Sequence, residues 1–528
     1  MLKLFKKIDI YLDKKVPVLI LLLSLILLRI PNFFEPYWYG DEAIYLTVGQ
    51  GIKYGRSLYE GIVDHKTPII YYLATVPSQI WFRVLNLAWM GVSTLLFYRL
   101  AKKILKNKKS AFIGSFIFVL LTTLPFLEGN IPNGELFVIG FVLAGVNLLL
   151  NSSYFNWLNN KKEIKNNDHL QLFAAGIFFG LAILTKVPAL LDLAAFLTIG
   201  WFYLANCFLF KQKQFFKAFK TISLQFIFLG LGVLTPIILS ILYFILLGVG
   251  KDYLQYGLLY NFRYTQSWQV AIEPAWLLTL FGLKAKLGML VAFFLLLTVL
   301  GKKLSRQFKF MLSWLVLSLF ATTLSNRPYP HYYQQLVPAF TLLLTYVLTN
   351  ANQLLKQGKG RIKILIESGA FLLIFIFIFK LSIVLNFHPY PTFSYYQKFY
   401  QYSTGKISMN DYYQWFNPLT QDTYQVAQFV RDEQQREIFI WGTNPMLYAL
   451  SKSIPAGKFT VSFHIKDVKA YDETMSSIKK VKPNIIVIMK NEAGDFPEFY
   501  QYLNNNYQLE KEYQYMDLYL KNNYVKQN

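Results

Sequence analysis

The sequence predicts an α-helical polytopic membrane protein that ends in a small C-terminal extracytoplasmic α/β domain, and three observations carry that prediction. The 528 residues are 54% hydrophobic and 18% aromatic, with mean hydropathy +0.33, and the apolar ones gather into long runs such as 16–30 and 371–379. Runs of that length and polarity suit a bilayer. Basic residues cluster between the runs, at 3–15, 99–109, 161–165, 211–220, 302–309 and 356–363. Beyond residue 387 the texture changes. From 388 to the end 15 Lys/Arg face 14 Asp/Glu, so the net charge of +24 belongs almost wholly to the earlier part. Two domains result, a transmembrane one at 1–387 and an external one at 388–528.

Holding the basic loops inside gives about eleven spans, roughly at 16–32, 82–101, 110–127, 134–152, 170–186, 188–210, 221–248, 276–300, 309–325, 334–352 and 363–385. Each is near the length a bilayer needs. The amino terminus is then cytoplasmic, the C-terminal domain extracytoplasmic, and the whole a multi-pass protein of the cytoplasmic membrane. The first run lacks a small-residue cleavage site, so it reads as a retained span. Residues 68–80 are apolar but too short to cross and are expected as an interfacial or re-entrant helix. Lys284 and Lys286 interrupt the span at 276–300, which is either broken or begins nearer Leu287. The basic clusters are separated by spans and lack base-stacking aromatics, which excludes a nucleic-acid partner. Cys207 is the only cysteine, so neither an intramolecular disulfide nor a cysteine metal site can form. An external domain without disulfides fits a bacterial or archaeal source, bacterial by preference.

This topology leaves outside a long first loop at 33–81, short loops at 128–135, 186–188 and 326–333, a longer one at 251–274, and the tail. Residues 388–418 are rich in Tyr, Phe and Gln, a mixture suited to the membrane interface. Beyond them, short apolar strands at 438–441 and 485–488 alternate with helix-like stretches at 423–434 and 467–479, the pattern of a modest α/β domain.

Every candidate reactive residue falls on an external loop. Asp41 and Glu42 lie in Tyr39-Gly40-Asp41-Glu42-Ala43-Ile44-Tyr45; Asp64, His65 and Lys66 share that loop; Glu128 and Glu135 flank the second; Arg327 and His331 mark the proline-bounded loop before Tyr332. The set joins acids that can take a proton to cations that can hold an anion. Beyond the reach of cytosolic nucleotides, an activated group arrives on a lipid, commonly as a sugar on a polyprenyl phosphate. Transfer to a hydroxyl needs a carboxylate to accept the proton and positive charge where the phosphate departs. No cofactor is required for this, although a divalent metal can assist.

The first-loop run, with Gly55, Tyr59 and Asp64-His65-Lys66-Thr67-Pro68, resembles the first external loop of GT-C membrane glycosyltransferases that use polyprenyl-phosphate sugars. Protein O-mannosyltransferases and lipid A aminoarabinose transferases are members. Gly-Leu-Ala-Ile-Leu-Thr-Lys-Val-Pro within 176–190 and His331-Tyr332-Tyr333 followed by Pro338 resemble later family segments, so the likeness spans most of 16–385. The resemblance implies a GT-C fold, Asp41 as catalytic base with Glu42 beside it, and Lys66 on the donor phosphate. Arg327 and His331 are expected to help hold that phosphate, and Glu135 and Asp64 are candidates for a second acid or an acceptor contact. The implied partners are a polyprenyl-phosphate sugar donor, a lipid, glycan or protein acceptor, and membrane lipids. The aminoarabinose transferases carry an Arg after the acidic pair and Lys-Pro-Pro in the second motif. Here Ala43-Ile44 and Lys66-Thr67-Pro68 stand instead, so the donor sugar does not carry over.

Ordinary roles compete with these. Asp41 could cap a helix, Glu42 could serve the helix dipole, Lys66 could anchor at lipid headgroups, and Glu135 could cap the fourth span. Lys186 has a ready role as a C-terminal dipole partner. Asp64 and His65 could join another acid at a metal. At the level of the whole chain, a transporter or flippase for a lipid-linked saccharide is the alternative, one that would place ionisable groups near span centres. A noncatalytic binding protein is a third reading.

Overall fold

A computed structural model describes residues 15–160, 163–261, 281–357, 361–492 and 494–526. Most of the basic cluster at 3–15 and of the loop at 251–274 therefore lies outside the described residues. Among the described residues, helices lie on the expected spans, residues 276–280 of the eighth falling outside those described. Val16–Phe34, Gln79–Leu105, Val187–Leu209, Gln212–Leu246 and Arg361–Val384 are long and apolar enough to cross a membrane, and Gly134–Leu148 and His169–Thr185 are shorter apolar helices. The segment at 68–80 forms only a five-residue helix, Ile69–Leu73, before the chain breaks and restarts at Gln79. The described helix of the eighth span, Leu283–Val299, starts ahead of Lys284 and contains both lysines, rather than beginning nearer Leu287.

Small residues set the closest helix pair. A Cβ on Gly176 would collide with the Leu229 carbonyl, and one on Gly232 with the Phe173 carbonyl, so His169–Thr185 and Gln212–Leu246 pack backbone to backbone. In a bilayer, where water gives helices no reason to associate, such contacts hold a bundle together. At the end of the first span Arg29 is buried and donates to Asn86 Oδ1 (2.5 Å), the Thr122 carbonyl (3.1 Å) and the Gly129 carbonyl (2.7 Å). It thereby satisfies the Thr122 carbonyl at the end of the Lys108–Leu121 helix and the Gly129 carbonyl in the loop beyond it.

The tail contains a five-stranded sheet. Its strands are β1 (Glu437–Trp441), β2 (Ile454–Pro455), β3 (Ile485–Met489), β4 (Tyr507–Glu512) and β5 (Met516–Lys521), in the order β2-β1-β3-β5-β4. β1 runs parallel to β2 and β3, whereas β5 is antiparallel to β3 and β4. β3 is buried throughout, as a central strand covered on both faces must be. Its helix Thr420–Asp432 and strands β1 and β3 lie where the sequence predicts them. The segment 388–418 forms helices Thr392–Ser403 and Met409–Phe416, whose Tyr395, Tyr412 and Phe416 pack with Trp38 of the first loop.

One feature of packing positions the site. Residues of the first loop (Ile44, Tyr45, Tyr59, Tyr71) and of the tail (Phe439, Trp441, Phe459, Ile465) belong to a single hydrophobic cluster. The Val63 amide donates to the Lys458 carbonyl at 2.8 Å, and Val63 forms an isolated parallel bridge with Phe459. The tail is thus packed on the loop that carries the candidate residues.

Candidate active site

Tyr39, in extended backbone (φ −99°, ψ 123°), leads into the helix Gly40–Lys53, and no side chain caps it. Asp41 and Glu42 occupy its first turn, where the helix dipole favours acids. Successive helical residues point about 100° apart, and the two acids accordingly enter different surroundings.

Asp41, with 30% of its side chain exposed, places Oδ2 3.4 Å from Lys66 Nζ and 4.0 Å from His331 Nε2, and accepts a 3.3 Å hydrogen bond from the Tyr45 hydroxyl. Lys66 Nζ also lies 3.6 Å from Asp64 Oδ2 and 4.9 Å from the centre of the Tyr45 ring. The loop around it is fixed by tyrosines. Tyr71 accepts from the Lys66 amide (2.9 Å) and donates to Asp64 Oδ2 (2.6 Å), while Tyr59 donates to the Lys66 carbonyl (2.8 Å). Tyr59 has φ 76°, a left-handed conformation that a bulky residue adopts only where its surroundings hold it. Burial favours a neutral Asp41, but Lys66 and His331 outweigh it and hold the carboxyl below its ordinary range. Burial is likewise outweighed at Asp64, by Lys66, His65 and His464, and its carboxyl lies well below that range.

His331 is buried in the turn Pro330–Leu336. Its Nδ1 is 2.6 Å from Glu128 Oε2, which also accepts from the Tyr39 hydroxyl at 2.7 Å. Burial disfavours the charged ring, yet Glu135 and Glu128 prevail and raise its pKa. Glu135 does not cap its helix; it pairs with Lys186, whose Nζ sits 4.1 Å from the centre of the Tyr332 ring.

A cavity of about 550 Å³ runs beside these groups. His65, Lys66, Glu135 and Lys186 form its polar end, and Leu190, Leu191, Leu283, Phe320 and Leu324 are among its apolar walls. Its size suits a small-molecule site, and its two-ended chemistry suits a molecule with an anionic head and an apolar chain.

Three expectations change. Glu42 does not join Asp41: it is buried, accepts from Arg83 Nε (2.8 Å), Arg83 Nη2 (2.7 Å) and Gln79 Nε2 (3.0 Å), and is fully used in holding the loop to the Gln79–Leu105 helix. Arg327 is half-buried and, with His331, is not among the described residues lining the cavity; Lys186 is, and shares its polar end with Lys66. Asp64 is wholly buried beneath Lys66, out of reach of an acceptor.

Asp64 has another setting. His65 Nδ1 lies 3.0 Å and His464 Nε2 3.3 Å from Asp64 Oδ1, and one ligand atom from each of the three residues lies within 4.8 Å of the others. Burial pushes the His464 ring down to about 3, so it is neutral and has a lone pair to give. One carboxylate and two imidazoles form a donor set suited to zinc or a similar divalent ion.

No family model matches the sequence, and no curated protein matches it either. Among solved structures, ArnT from Cupriavidus metallidurans bound to undecaprenyl phosphate superposes with a TM-score of 0.52 at 12% identity, over 96% of this chain and 98% of that one. Its apo state gives a TM-score of 0.52 at 11% identity, over 95% and 97%. The oligosaccharyltransferase AglB from Archaeoglobus fulgidus, in complex with an inhibitory peptide and a dolichol-phosphate, gives 0.42 at 12% identity, over 90% and 69%. The chain has the fold of ArnT.

Proposed function

We propose that this protein is an inverting glycosyltransferase that moves a sugar from a polyprenyl-phosphate donor to a hydroxyl on a lipid, glycan or protein outside the cytoplasmic membrane. The observation that carries this reading is Lys66, which lies 3.4 Å from the Asp41 carboxylate and also lines the polar end of the cavity. A base and an anion holder are thus joined at the place where a lipid phosphate would meet an acceptor. About eleven spans, a cytoplasmic amino terminus, an external tail and a bacterial source belong to the same proposal.

In this reading the apolar walls take the polyprenyl chain, and Lys66 and Lys186 hold the phosphate. The acceptor oxygen attacks the anomeric carbon opposite the phosphate. Its bond to that carbon forms as the carbon–oxygen bond to phosphate breaks, its proton passes to Asp41, and the bonding pair leaves on the lipid phosphate. Lys66 and Lys186 then face the growing negative charge, where fixed cations contribute most. Before donor binds, Lys66 holds Asp41 weakly basic. A phosphate that draws the ammonium away removes part of that restraint, so the base strengthens when a donor is present.

A divalent cation fits Asp64, His65 and His464, where it would supply a cross-link between first loop and tail and positive charge next to Lys66. The test of the whole reading uses the full chain in liposomes with undecaprenyl-phosphate-linked hexoses and pentoses, scoring released undecaprenyl phosphate. Release should require both the donor and Asp41. Equal release from protein with Asp41→Asn would reject it.

A further inference from the structure

Glu128, Tyr39 and the buried His331 form a hydrogen-bonded group next to Asp41 that neither the base nor the phosphate role explains. His331 has 5% and Glu128 13% of its side chain exposed, so both are held while Asp41 opens to solvent. His331 Nδ1 lies 2.6 Å from Glu128 Oε2 and 2.9 Å from the Tyr39 hydroxyl, and since that hydroxyl spends its own proton on Glu128 and a carboxylate can only accept, the ring donates from Nδ1. Nε2 is then left with its lone pair on the side of Asp41 Oδ2, 4.0 Å away. That gap is beyond a hydrogen bond and is closed by a small shift or by one water.

We propose that Glu128 and His331 form a relay that takes from Asp41 the proton abstracted from the acceptor and delivers it to solvent, readying Asp41 for the next turnover. The inference rests on the transfer reading given above. The steps balance: the acceptor hydroxyl proton goes to Asp41 Oδ2, then to His331 Nε2, giving an imidazolium that Glu128 stabilises, and then to water. The direction follows from the surroundings, since Lys66 makes protonated Asp41 the stronger acid and the carboxylates around His331 make it the stronger base. The groups that set the charge of His331 are Glu128, Glu135, Asp41 and Lys186, with the Tyr39 hydroxyl and the rings of Tyr329 and Tyr332 around it. His331 is a proton carrier acting through Asp41, and Glu128 is a positioning residue.

The chain holds only 5 His, so full-length protein labelled with ¹⁵N-histidine in lipid vesicles gives few ring signals, and His331→Gln assigns the one of interest. The expected signal is a neutral ring protonated on Nδ1, whose titration midpoint falls by about one pH unit or more in Glu128→Gln, as loss of an adjacent carboxylate requires. A ring protonated on Nε2, or an unmoved midpoint, overturns the proposal without reference to any sugar donor. For turnover, the readout is release of undecaprenyl phosphate from the donor the wild type uses. Glu128→Gln should lower kcat about tenfold or more with donor KM unchanged, and move the acid limb of the kcat profile to lower pH, because neutral Nε2 is the acceptor. Glu128→Asp should recover part of the rate. A fall in kcat with the limb fixed makes Glu128 merely structural, and a raised donor KM in His331→Gln makes that residue a phosphate holder; either result overturns the relay. Full activity in Asp41→Asn would instead defeat the transfer reading, while an inactive Asp41→Asn with an unmoved limb in Glu128→Gln defeats the relay alone.

Discussion

The adjacent acids Asp41 and Glu42 should fail in opposite ways. Asp41→Asn keeps the shape of the side chain and removes the base. Lys66 retains Asp64 at 3.6 Å, and with Asp41 30% and Lys66 13% exposed the pair it loses is partly solvated and its cation stays partnered. The stability cost is then under about 1 kcal/mol. The rate cost is that of a general base, about 10²–10⁴-fold, or about 3–5 kcal/mol of barrier. Glu42→Ala does the reverse. Arg83 and Glu42 each have 1% of the side chain exposed, and the variant removes the acceptor for Arg83 Nε and Nη2 and for Gln79. Breaking a buried pair costs about 3–5 kcal/mol, and the remaining Glu35, 3.4 Å from Arg83 Nη2, puts the loss near the lower end. Thermal unfolding in detergent, followed beside undecaprenyl phosphate release, separates the two. Asp41→Asn should unfold at the wild-type temperature with almost no release, and Glu42→Ala should unfold clearly earlier. A well-folded, inactive Glu42→Ala protein would refute this division of labour.

Lys66→Ala and Lys186→Ala should each weaken binding of undecaprenyl phosphate by about tenfold or more, the worth of one charge-assisted contact, as measured by tryptophan quenching in nanodiscs; Arg327→Ala should change it little. Purified protein should carry a divalent metal by elemental analysis, and His464→Ala should lose it and unfold earlier. Equal unfolding of wild type with and without chelator would argue against a cation at Asp64, His65 and His464. Gly176→Val should destabilise the bundle, because its Cβ meets the Leu229 carbonyl; proteolysis in detergent reads this, and wild-type resistance would show that the helices can separate without cost.

What the sequence made legible was set by range. The spans are local runs of apolar residues, and helices lie on them. The adjacency of Asp41 and Lys66 followed from a resemblance in one loop and from a topology that put both outside. Partners far apart in the chain stayed hidden. Arg83 sits in an apolar run, and nothing near it shows that Glu42, 41 residues earlier, is its counter-ion. His464 lies 399 residues from His65 and carries no local signal of ligation. In the sequence Lys186 has a ready role as a dipole partner, and its reach to Glu135 is hidden because it depends on how two helices pack. β5 could have been found: Met-Asp-Leu-Tyr-Leu-Lys alternates inward and outward along the strand, as its burial does. β2 has two residues, too few for any periodicity.

The shared core of loop and tail bears on why the site has its geometry. The loop from Ile62 to Lys66 owes its position to groups more than 390 residues away: the Lys458 carbonyl receives the Val63 amide, and His464 touches both His65 and Asp64. Arg56 adds an ion pair to Glu437 and a 2.6 Å hydrogen bond to the Gly457 carbonyl. A loop of this length without such contacts would sample many conformations, and ordering each residue costs about 1–2 kcal/mol. Fixing Lys66 within 3.4 Å of Asp41 therefore needs a rigid surface beneath the loop, which the tail supplies. Deleting the tail should then abolish donor turnover although none of its residues lines the cavity among those described, and a truncated chain that keeps wild-type turnover would show that the loop orders itself.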